Sequence, residues 1–389
     1  MSGANTTIPT KPFLIACGGT GGHLSPGIAL AEGLVARGHS ATLLISRKKV
    51  DSRLAEKYPH LKFLRVPGSP LSLNPFRFAR FVCTQAHGLA YCMNLVRRER
   101  PAGIVGFGGF TSAGAVLAGA LLGVPVALHE ANRVPGRAVR VLCMVARRVY
   151  LPPGARLSKH ALAARRTMGL PVRKEIVRVP VAGARAQLGL DPQRPVLAVL
   201  GGSQGASALN TWARDHAAAF ARDGVQVYCV SGLGKSGAET IENPSRHGGT
   251  VRAIFSPFCD RMGVLLSAAD LVVSRAGAGT IAELIRCATP AVLVPYPRAA
   301  DNHQLANARL FEQQGGGIVV GQTAMPTLAR EVGDIIFNDD LLRKFRENLQ
   351  RMDHANSLDI LLDDLETLAG LSKPKTPAPA RPRAEGGAA

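Results

Sequence analysis

The chain has 389 residues, with 47 Lys or Arg against 27 Asp or Glu, and a formal net charge of +20 at pH 7. This length exceeds one ordinary core and favours two or three domains. With 46% hydrophobic and 19% charged residues, the composition excludes a mainly disordered chain. The charge indicates an anionic partner, which is a lipid surface, a nucleic acid or a polyanionic substrate.

The start of the chain and its cysteines bear on where the protein works. Residues 1–12 are polar, which predicts a disordered N-terminus and no secretory signal. The apolar run 113–128 is shorter than the roughly 20 residues that a membrane span needs. Gly123-Val124-Pro125 also divides it into a predicted helix, turn and strand. Seven cysteines without C-x-x-C spacing argue against a disulfide framework or zinc ribbon and favour a cytosolic setting.

Short apolar runs alternate with Gly-rich turns and helical stretches along the whole chain. Such runs are typical of parallel strands covered by helices on both faces, so the predicted class is α/β. Strand 13–17 leads into Gly18-Gly19-Thr20-Gly21-Gly22, and strand 196–200 leads into Gly201-Gly202-Ser203-Gln204-Gly205. This repeated opening predicts two doubly wound, Rossmann-like domains, 13–170 and 171–352. A C-terminal helix that returns to the N-terminal domain is expected in 353–371, and a disordered tail in 372–389.

Four Gly-rich loops follow predicted strands, at 18–22, 108–109, 201–205 and 277–279. Glycine lets the backbone approach a ligand, and the next helix directs free N–H groups at an anion. One such loop is most often a plain turn, whereas four together favour a phosphate or diphosphate ligand. A P-loop motif is absent. The third glycine of an NAD fingerprint is missing, although Arg47 and Lys48 after the second strand leave NADP open.

A series of motifs carries a specific resemblance to a known family. They are, in chain order, Gly18–His23 with Pro26, Gly108-Gly109-Phe110, His129-Glu130-x-Asn132, Pro171-Val172-Arg173, Gly201–Gly205, Ser274–Ala278 with Thr280 and Glu283, and Asp301 with Gln304 and Asn307. Together they resemble the MurG family of glycosyltransferase family 28 over about residues 13 to 320. The sequence departs from the usual family residues at Ala131, Arg133, Leu170 and Cys259.

The resemblance implies a GT-B fold, in which two Rossmann-like domains face each other across a cleft. It implies inverting transfer of GlcNAc from UDP-GlcNAc to the MurNAc 4-hydroxyl of lipid I, a polyprenyl diphosphate, to form lipid II. It also implies a peripheral enzyme on the cytoplasmic face of the inner membrane, together with other cell-wall and division proteins. No cofactor or metal is implied, in keeping with the absence of a D-x-D motif.

The resemblance also assigns binding residues. Donor residues are expected in both domains: Thr20, Gly21, Gly22, Asn132, Arg173, Ser203, Cys259, Ala278, Gly279, Thr280, Glu283 and Gln304. Acceptor and phosphate residues are expected at Gly18, Gly19, Gly108 and Gly109. Within the donor set, Glu283 is expected to bind the ribose and Gln304 the sugar hydroxyls. Their alternative roles are a helix-dipole partner and a helix residue after the cap Asp301.

Two residues are candidates for the general base that the acceptor hydroxyl needs. His23 stands at the tip of the first glycine loop, and its ordinary pKa range suits the task. Glu130 follows a strand at the sheet edge where ligands of such folds bind. The sequence leaves both candidates open, and it also leaves open that His23 only satisfies backbone groups at a helix start.

One segment mixes aromatic and basic side chains in a way that suits a membrane surface. Phe76, Phe78 and Phe81 alternate with Arg77 and Arg80 in a helix or turn opened by Asn74-Pro75. Apolar groups there are expected to enter the interface while the cations meet anionic headgroups. The alternative is that the Phe side chains pack on the core and the Arg side chains are solvated. Nucleic acid is not expected, because aromatic residues are scarce and no binding motif occurs.

Three further functions compete with the leading one. A related transferase could use another UDP-sugar or a glycolipid acceptor. An NADP-dependent oxidoreductase would bind the 2′-phosphate through Arg47 and Lys48. A non-enzymatic basic scaffold on anionic polymers is the third.

Overall fold

The computed structural model describes residues 11–19, 21–47, 49–70, 74–157, 163–202, 206–234, 237–353 and 358–371. Thr20, Lys48 and Ser203 lie outside these residues, as do 1–10 and 372–389. The expectations for these positions therefore stay predictions.

The N-terminal half alternates strands and helices. Its elements are β1 (Pro12–Ala16), α1 (Gly21–Ala36), β2 (Ser40–Ile45), α2 (Lys49–Glu56), β3 (Lys62–Arg65), α3 (Pro75–Glu99), β4 (Gly103–Gly106), α4 (Phe110–Leu121), β5 (Val126–His129), α5 (Arg137–Leu142), β6 (Arg148–Leu151) and β7 (Ala164–Thr167). The strands form a parallel sheet in the order β3-β2-β1-β4-β5-β6-β7. Strand order reverses between β1 and β4, which is where such sheets open a crevice for ligands.

The C-terminal half repeats this architecture. Its elements are α6 (Val181–Gln187), β8 (Val196–Leu200), α7 (Ser207–Arg222), β9 (Gln226–Val230), β10 (Glu239–Pro244), β11 (Thr250–Ser256), α8 (Met262–Ala268), β12 (Leu271–Ser274), α9 (Ala278–Cys287), β13 (Ala291–Leu293), a 3₁₀ turn (Ala300–Asn302), α10 (His303–Gln313), β14 (Gly317–Val319), a second 3₁₀ segment (Gln322–Thr327), α11 (Leu328–Ile336), α12 (Asp339–Met352) and α13 (Leu358–Leu368). The sheet order is β10-β11-β9-β8-β12-β13-β14. Here the reversal lies between β8 and β12.

The central strands are buried on both faces, as their unbroken apolar sequences predict. In β8, for example, Val196, Leu197, Ala198 and Val199 are all fully buried, and helices cover each side of the sheet. The predicted α/β fold with two doubly wound domains is confirmed. The predicted helix, turn and strand in 113–128 are also confirmed, as α4 and β5.

Three local expectations need correction. Pro12, assigned to a disordered start, opens β1. The antiparallel pair of β10 and β11 was not predicted. Asn302, and not Asp301, is the N-cap position of α10, and both residues have positive φ, 51° for Asp301 and 53° for Asn302.

The last helix, α13, follows the second domain but packs against α1 of the first. Its Leu361, Leu362 and Leu365 are buried in the same apolar cluster as Phe13 of β1 and Leu30 of α1. Within the described ranges, no helix combines the length and apolar character needed to cross a membrane.

Candidate active site

The first glycine-rich loop leaves β1 in close contact with β2. A Cβ added at Gly18 would lie only 2.3 Å from the backbone nitrogen of Ser46, so this position excludes a side chain. Gly19 has a φ of +110°, a conformation that glycine adopts without strain. Its N–H donates to Oδ2 of Asp51 at 2.8 Å, which ties the loop to α2.

Asp51 is a fully buried carboxylate that the sequence analysis missed. Its Oδ2 accepts from Gly19 N, from Ser46 N at 3.1 Å and from Ser46 Oγ at 2.5 Å. Such charged acceptors form strong hydrogen bonds, so Asp51 holds the loop firmly. An acidic residue in a short polar helix predicts a solvent-facing side chain, and no sequence signal pointed inward.

The second loop lies directly against the first. Gly108 and Gly109 have φ values of 88° and 75°. A Cβ added at Gly109 would lie 3.3 Å from both the carbonyl oxygen of Gly18 and Nδ1 of His23. Thr111 reinforces the contact by donating from Oγ1 to the Gly18 carbonyl at 2.8 Å. The half-buried His23 ring therefore sits over both loops, at the carboxyl edge of β1 and β4.

Glu130 is buried and bonded to its own loop. Its Oε1 accepts from the backbone N–H of Asn132 at 2.8 Å and from Nδ2 of Asn132 at 3.1 Å. Its Oε2 accepts from the N–H of Gly136 at 2.7 Å. Burial raises the pKa of the Glu130 carboxyl, and these hydrogen bonds act in the opposite direction. The side chain thus fixes the loop 131–136.

Helix α9 carries the fourth glycine loop and faces the first one. Gly277 is its N-cap residue, and Ala278, Gly279 and Thr280 form its first turn. A Cβ added at Gly279 would lie 3.9 Å from Cα of Gly22, at the start of α1. The positive ends of α1 and α9 therefore meet in the cleft, and the first turn of each helix directs backbone N–H groups toward it.

Glu283 and Arg173 form an ion pair one turn further along α9. Nη2 of Arg173 donates to Oε1 of Glu283 at 2.9 Å. Burial by itself would lower the pKa of the Arg173 guanidinium, but Glu283, Tyr58 and Glu175 together outweigh it and the pKa is raised. Arg173 is therefore a permanent buried cation between the domains.

The loop around Cys259 is held by the N-terminal domain. Nζ of Lys57 donates to the carbonyl oxygen of Asp260 at 2.5 Å. The guanidinium of Arg53 lies 5.8 Å from the ring centre of Phe258. Burial raises the pKa of the Cys259 thiol, so this side chain is a neutral thiol.

The loop before α10 places Gln304 and Asn307 on the cleft side. Oε1 of Gln304 accepts from the N–H of Tyr296 at 2.9 Å, which orients the amide. Nδ2 of Asn307 donates to Oδ1 of Asn132 at 3.1 Å and to the carbonyl of Ala276 at 3.2 Å. Asn307, for which the sequence analysis assigned no role, thus links the two domains across the cleft.

The structure brings most of the predicted site residues to one cleft. Both glycine loops of the first domain, His23, Glu130 and Asn132 face the start of α9, Glu283, Arg173 and the α10 loop. Their ligand contacts stay predictions. Among the described residues, no three His, Cys, Asp or Glu side chains cluster as a metal site requires.

The predicted membrane segment forms the first turns of α3. Asn74 caps this helix by accepting from Arg77 N at 3.3 Å, with Pro75 at its first position, as predicted. Phe76 is 87% exposed and Phe78 is 49% exposed. Arg77 and Arg80 are also exposed. Phe81 is half-buried and contacts the Phe78 ring, so it is less available than expected.

Two Rossmann-like sheets, with helix N-termini that meet across the cleft between them, define a two-domain glycosyltransferase of the GT-B kind. The chain belongs to glycosyltransferase family 28. The family's N-terminal domain matches residues 13–151, and its C-terminal domain matches residues 196–358. The resemblance seen in the sequence motifs is confirmed, and family membership excludes the NADP-dependent oxidoreductase and the non-enzymatic scaffold.

Two curated relatives carry the name UDP-N-acetylglucosamine–N-acetylmuramyl-(pentapeptide) pyrophosphoryl-undecaprenol N-acetylglucosamine transferase. The Opitutus terrae protein is 64% identical over 92% of this chain and 94% of its own length. The Neisseria meningitidis protein is 35% identical over 90% of this chain and 96% of its own length. The crystal structure of Acinetobacter baumannii MurG has the same fold, with 23% identity, a TM-score of 0.68 and coverage of 92% of this chain and 100% of that one.

Proposed function

We propose that the protein transfers GlcNAc from UDP-GlcNAc to the MurNAc 4-hydroxyl of lipid I and so forms lipid II. The observation that carries this proposal is the approach of Gly279 to Gly22, which places two helix N-termini in one cleft. Such a site suits a diphosphate that becomes more negative as it leaves. The names of the relatives, the nearest of those described being 64% identical, support the choice of substrates.

The second domain supplies the donor contacts in this proposal. The first turn of α9, Ala278 to Thr280, binds the diphosphate through backbone N–H groups. Glu283 accepts from the ribose hydroxyls, and backbone groups near Cys259 bind the uracil. Because Oε1 of Gln304 is engaged by Tyr296, its amide nitrogen is the group that donates to the sugar hydroxyls.

The first domain supplies the acceptor contacts and the base. The 4-hydroxyl oxygen attacks the anomeric carbon, its proton passes to His23, and the carbon–oxygen bond to UDP breaks with its electrons on the diphosphate. Attack opposite the leaving group inverts the α linkage to β. Glu130, with both oxygens occupied by its own loop, positions Asn132 in this scheme. Gly18, Gly19, Gly108 and Gly109 line the acceptor phosphates.

The acceptor's polyprenyl tail requires the enzyme to work at a membrane, and we place it peripherally on the cytoplasmic face. The exposed start of α3 is the proposed anchor. Gln85 of α3 donates from Nε2 to the carbonyl of Phe110 at 3.3 Å. Phe110 follows the Gly108-Gly109 loop, so the anchor stands beside the acceptor side of the cleft.

The test is transfer of radiolabelled GlcNAc from UDP-GlcNAc to a soluble lipid I analogue, with UDP-galactose as the competing donor. We expect a disaccharide product from UDP-GlcNAc and little from UDP-galactose. Preference for UDP-galactose, or donor turnover only with a glycolipid lacking MurNAc, would replace this proposal by the related-transferase alternative.

A further inference from the structure

Tyr58 stands at the junction of the two domains, two residues after α2. It is 4% exposed. Its hydroxyl accepts from Nη1 of Arg173 at 3.2 Å and donates to Oε1 of Glu175. Arg173 also binds Glu283 through its other terminal nitrogen, at 2.9 Å. A continuous row therefore runs from the first domain through Arg173 to the carboxylate on α9.

The hydrogen bonds in this row make the orientation of the Arg173 guanidinium depend on the Tyr58 hydroxyl. A guanidinium presents its donors in a rigid planar fork, so fixing one terminal nitrogen also orients the other. Nη1 of Arg173 lies 3.3 Å from Oε1 of Glu175, an oxygen that the Tyr58 hydroxyl also contacts. Within the described part of the chain, Nε of Arg173 has no hydrogen-bond partner. The fork is therefore held at Nη1 by Tyr58 and Glu175 and at Nη2 by Glu283.

We propose that Tyr58 is a positioning residue for donor recognition: it aims Arg173, which in turn aims Glu283 at the ribose. This inference rests on the proposed role of Glu283 as the ribose-binding group. The ion pair occupies Oε1 of Glu283 and leaves the rest of the carboxylate to accept from the ribose hydroxyls. Discrimination of the ribose thus depends on a hydroxyl supplied by the acceptor domain.

The experiment compares UDP-GlcNAc with its 2′-deoxyuridine analogue in wild type and Tyr58→Phe. Losing one hydrogen bond to a charged group corresponds to roughly 1.5 kcal/mol, or about tenfold. We expect kcat/KM for UDP-GlcNAc to fall about tenfold in Tyr58→Phe, mostly through KM. For the deoxy analogue we expect a fall of less than about twofold, so the preference for the 2′-hydroxyl collapses.

Tyr150→Phe is the matched control, because it also removes a buried hydroxyl. The Tyr150 hydroxyl donates to Oδ2 of Asp364 at 2.8 Å, on α13. Its loss is expected to lower the thermal midpoint without changing the 2′-hydroxyl preference. If Tyr58→Phe also leaves that preference at the wild-type value, Tyr58 is merely structural and the proposal is overturned.

Glu283→Ala separates this inference from the function on which it rests. If Glu283→Ala removes the 2′-hydroxyl preference and Tyr58→Phe does not, only the proposed relay from Tyr58 through Arg173 to Glu283 is wrong. If Glu283→Ala retains the preference, the ribose assignment itself is wrong and the relay falls with it. GlcNAc transfer by wild type, measured in the same assay, shows in both cases whether the overall reaction stands.

Discussion

The orientation of His23 over the two glycine loops leads to the first prediction. His23→Ala should lower kcat by about 10² to 10⁴, the usual contribution of a general base, while KM for UDP-GlcNAc changes little. The reason is that the ring contacts the acceptor-side loops and the donor contacts lie in α9. Steady-state transfer kinetics check this. Should Glu130→Gln abolish turnover while His23→Ala retains it, Glu130 would be the base.

A second residue, His129, predicts how stability changes with pH. It is fully buried, and burial lowers the pKa of its imidazole to about 4. Its Nε2 lies 3.3 Å from the carbonyl oxygen of Gly169 and must carry the proton that makes this bond. The folded protein therefore holds a neutral ring, whereas the unfolded chain titrates near 6.5.

Because the folded pKa is the lower one, stability is complete above about pH 6.5 and falls as the pH decreases toward 4. Between pH 7 and pH 5 the loss from His129 amounts to about 2 kcal/mol. Urea unfolding at the two pH values should show this loss in wild type and a correspondingly smaller one in His129→Asn. Equal losses in the two proteins would mean that His129 is protonated in the folded state.

The residues that sequence reasoning found and missed differ in a physical way. Gly18, His23 and Glu283 stand in short local patterns, where a strand, a turn and a helix start follow each other in the chain. Asp51 and Tyr58 act through partners that are 32 and 115 residues away. No local pattern encodes such a pairing, since only the folded sheet order brings these side chains together.

At the scale of elements, the start of α3 predicts a membrane contact. Phe76→Ser with Phe78→Ser should weaken binding to vesicles containing anionic lipid by at least roughly 100-fold, since burying each ring contributes about 1.5 to 3 kcal/mol. Phe337→Ser is the matched control, because Phe337 is likewise an exposed aromatic residue, at 54%, and lies in the second domain. Vesicle flotation measures both, and equal weakening by the control would remove α3 as the anchor.

The cations of α3 should add a salt-dependent part to this binding. Arg77 and Arg80 are each expected to contribute about 1 kcal/mol of attraction to anionic headgroups, screened as salt rises. Changing both to Gln should therefore reduce flotation with anionic vesicles and leave binding to neutral vesicles unchanged. Loss with both kinds of vesicle would point to damaged folding of α3.

Helices and strands were predictable from the sequence where the pattern that specifies them lies within the element or directly beside it. The strands flanking the glycine loops and the capped start of α3 follow from apolar runs and from Asn74-Pro75. The β10–β11 hairpin was missed because the residues of β10 are mostly exposed and polar. The start of α10 was misplaced because Asp301 and Asn302 adopt left-handed conformations that their identities permit but do not require.

At the scale of the whole molecule, the two domains are held together by the contacts around Arg173, by contacts across the cleft and by α13. Asn307 bonds Asn132 across 175 positions of sequence, and Arg140 pairs with Asp301 over a similar span. These contacts, like the packing of α13 on α1, depend on the docking of complete domains. The motifs predict that the domains face each other, and they do not predict which side chains meet.

The packing of α13 makes the stability of the first domain depend on residues that follow the second. Leu362 is buried, and its Cδ1 would lie 2.8 Å from a Cβ at Gly33 of α1, so the two helices fit closely. Arg37 reinforces this contact through Asp363 at 2.7 Å and Glu366 at 3.1 Å. Leu362→Ala should therefore destabilise the first domain by about 2 to 5 kcal/mol.

Ile360→Ala on the same helix is the control, because Ile360 is 61% exposed and its loss should change stability by less than about 0.5 kcal/mol. Urea unfolding and the thermal midpoint of both variants measure the difference. The first domain should unfold earlier in Leu362→Ala, while UDP binding by the second domain persists at low urea. If Leu362→Ala had the same stability as Ile360→Ala, α13 would contact the first domain without contributing to its core. The stability of the first domain would then not depend on α13.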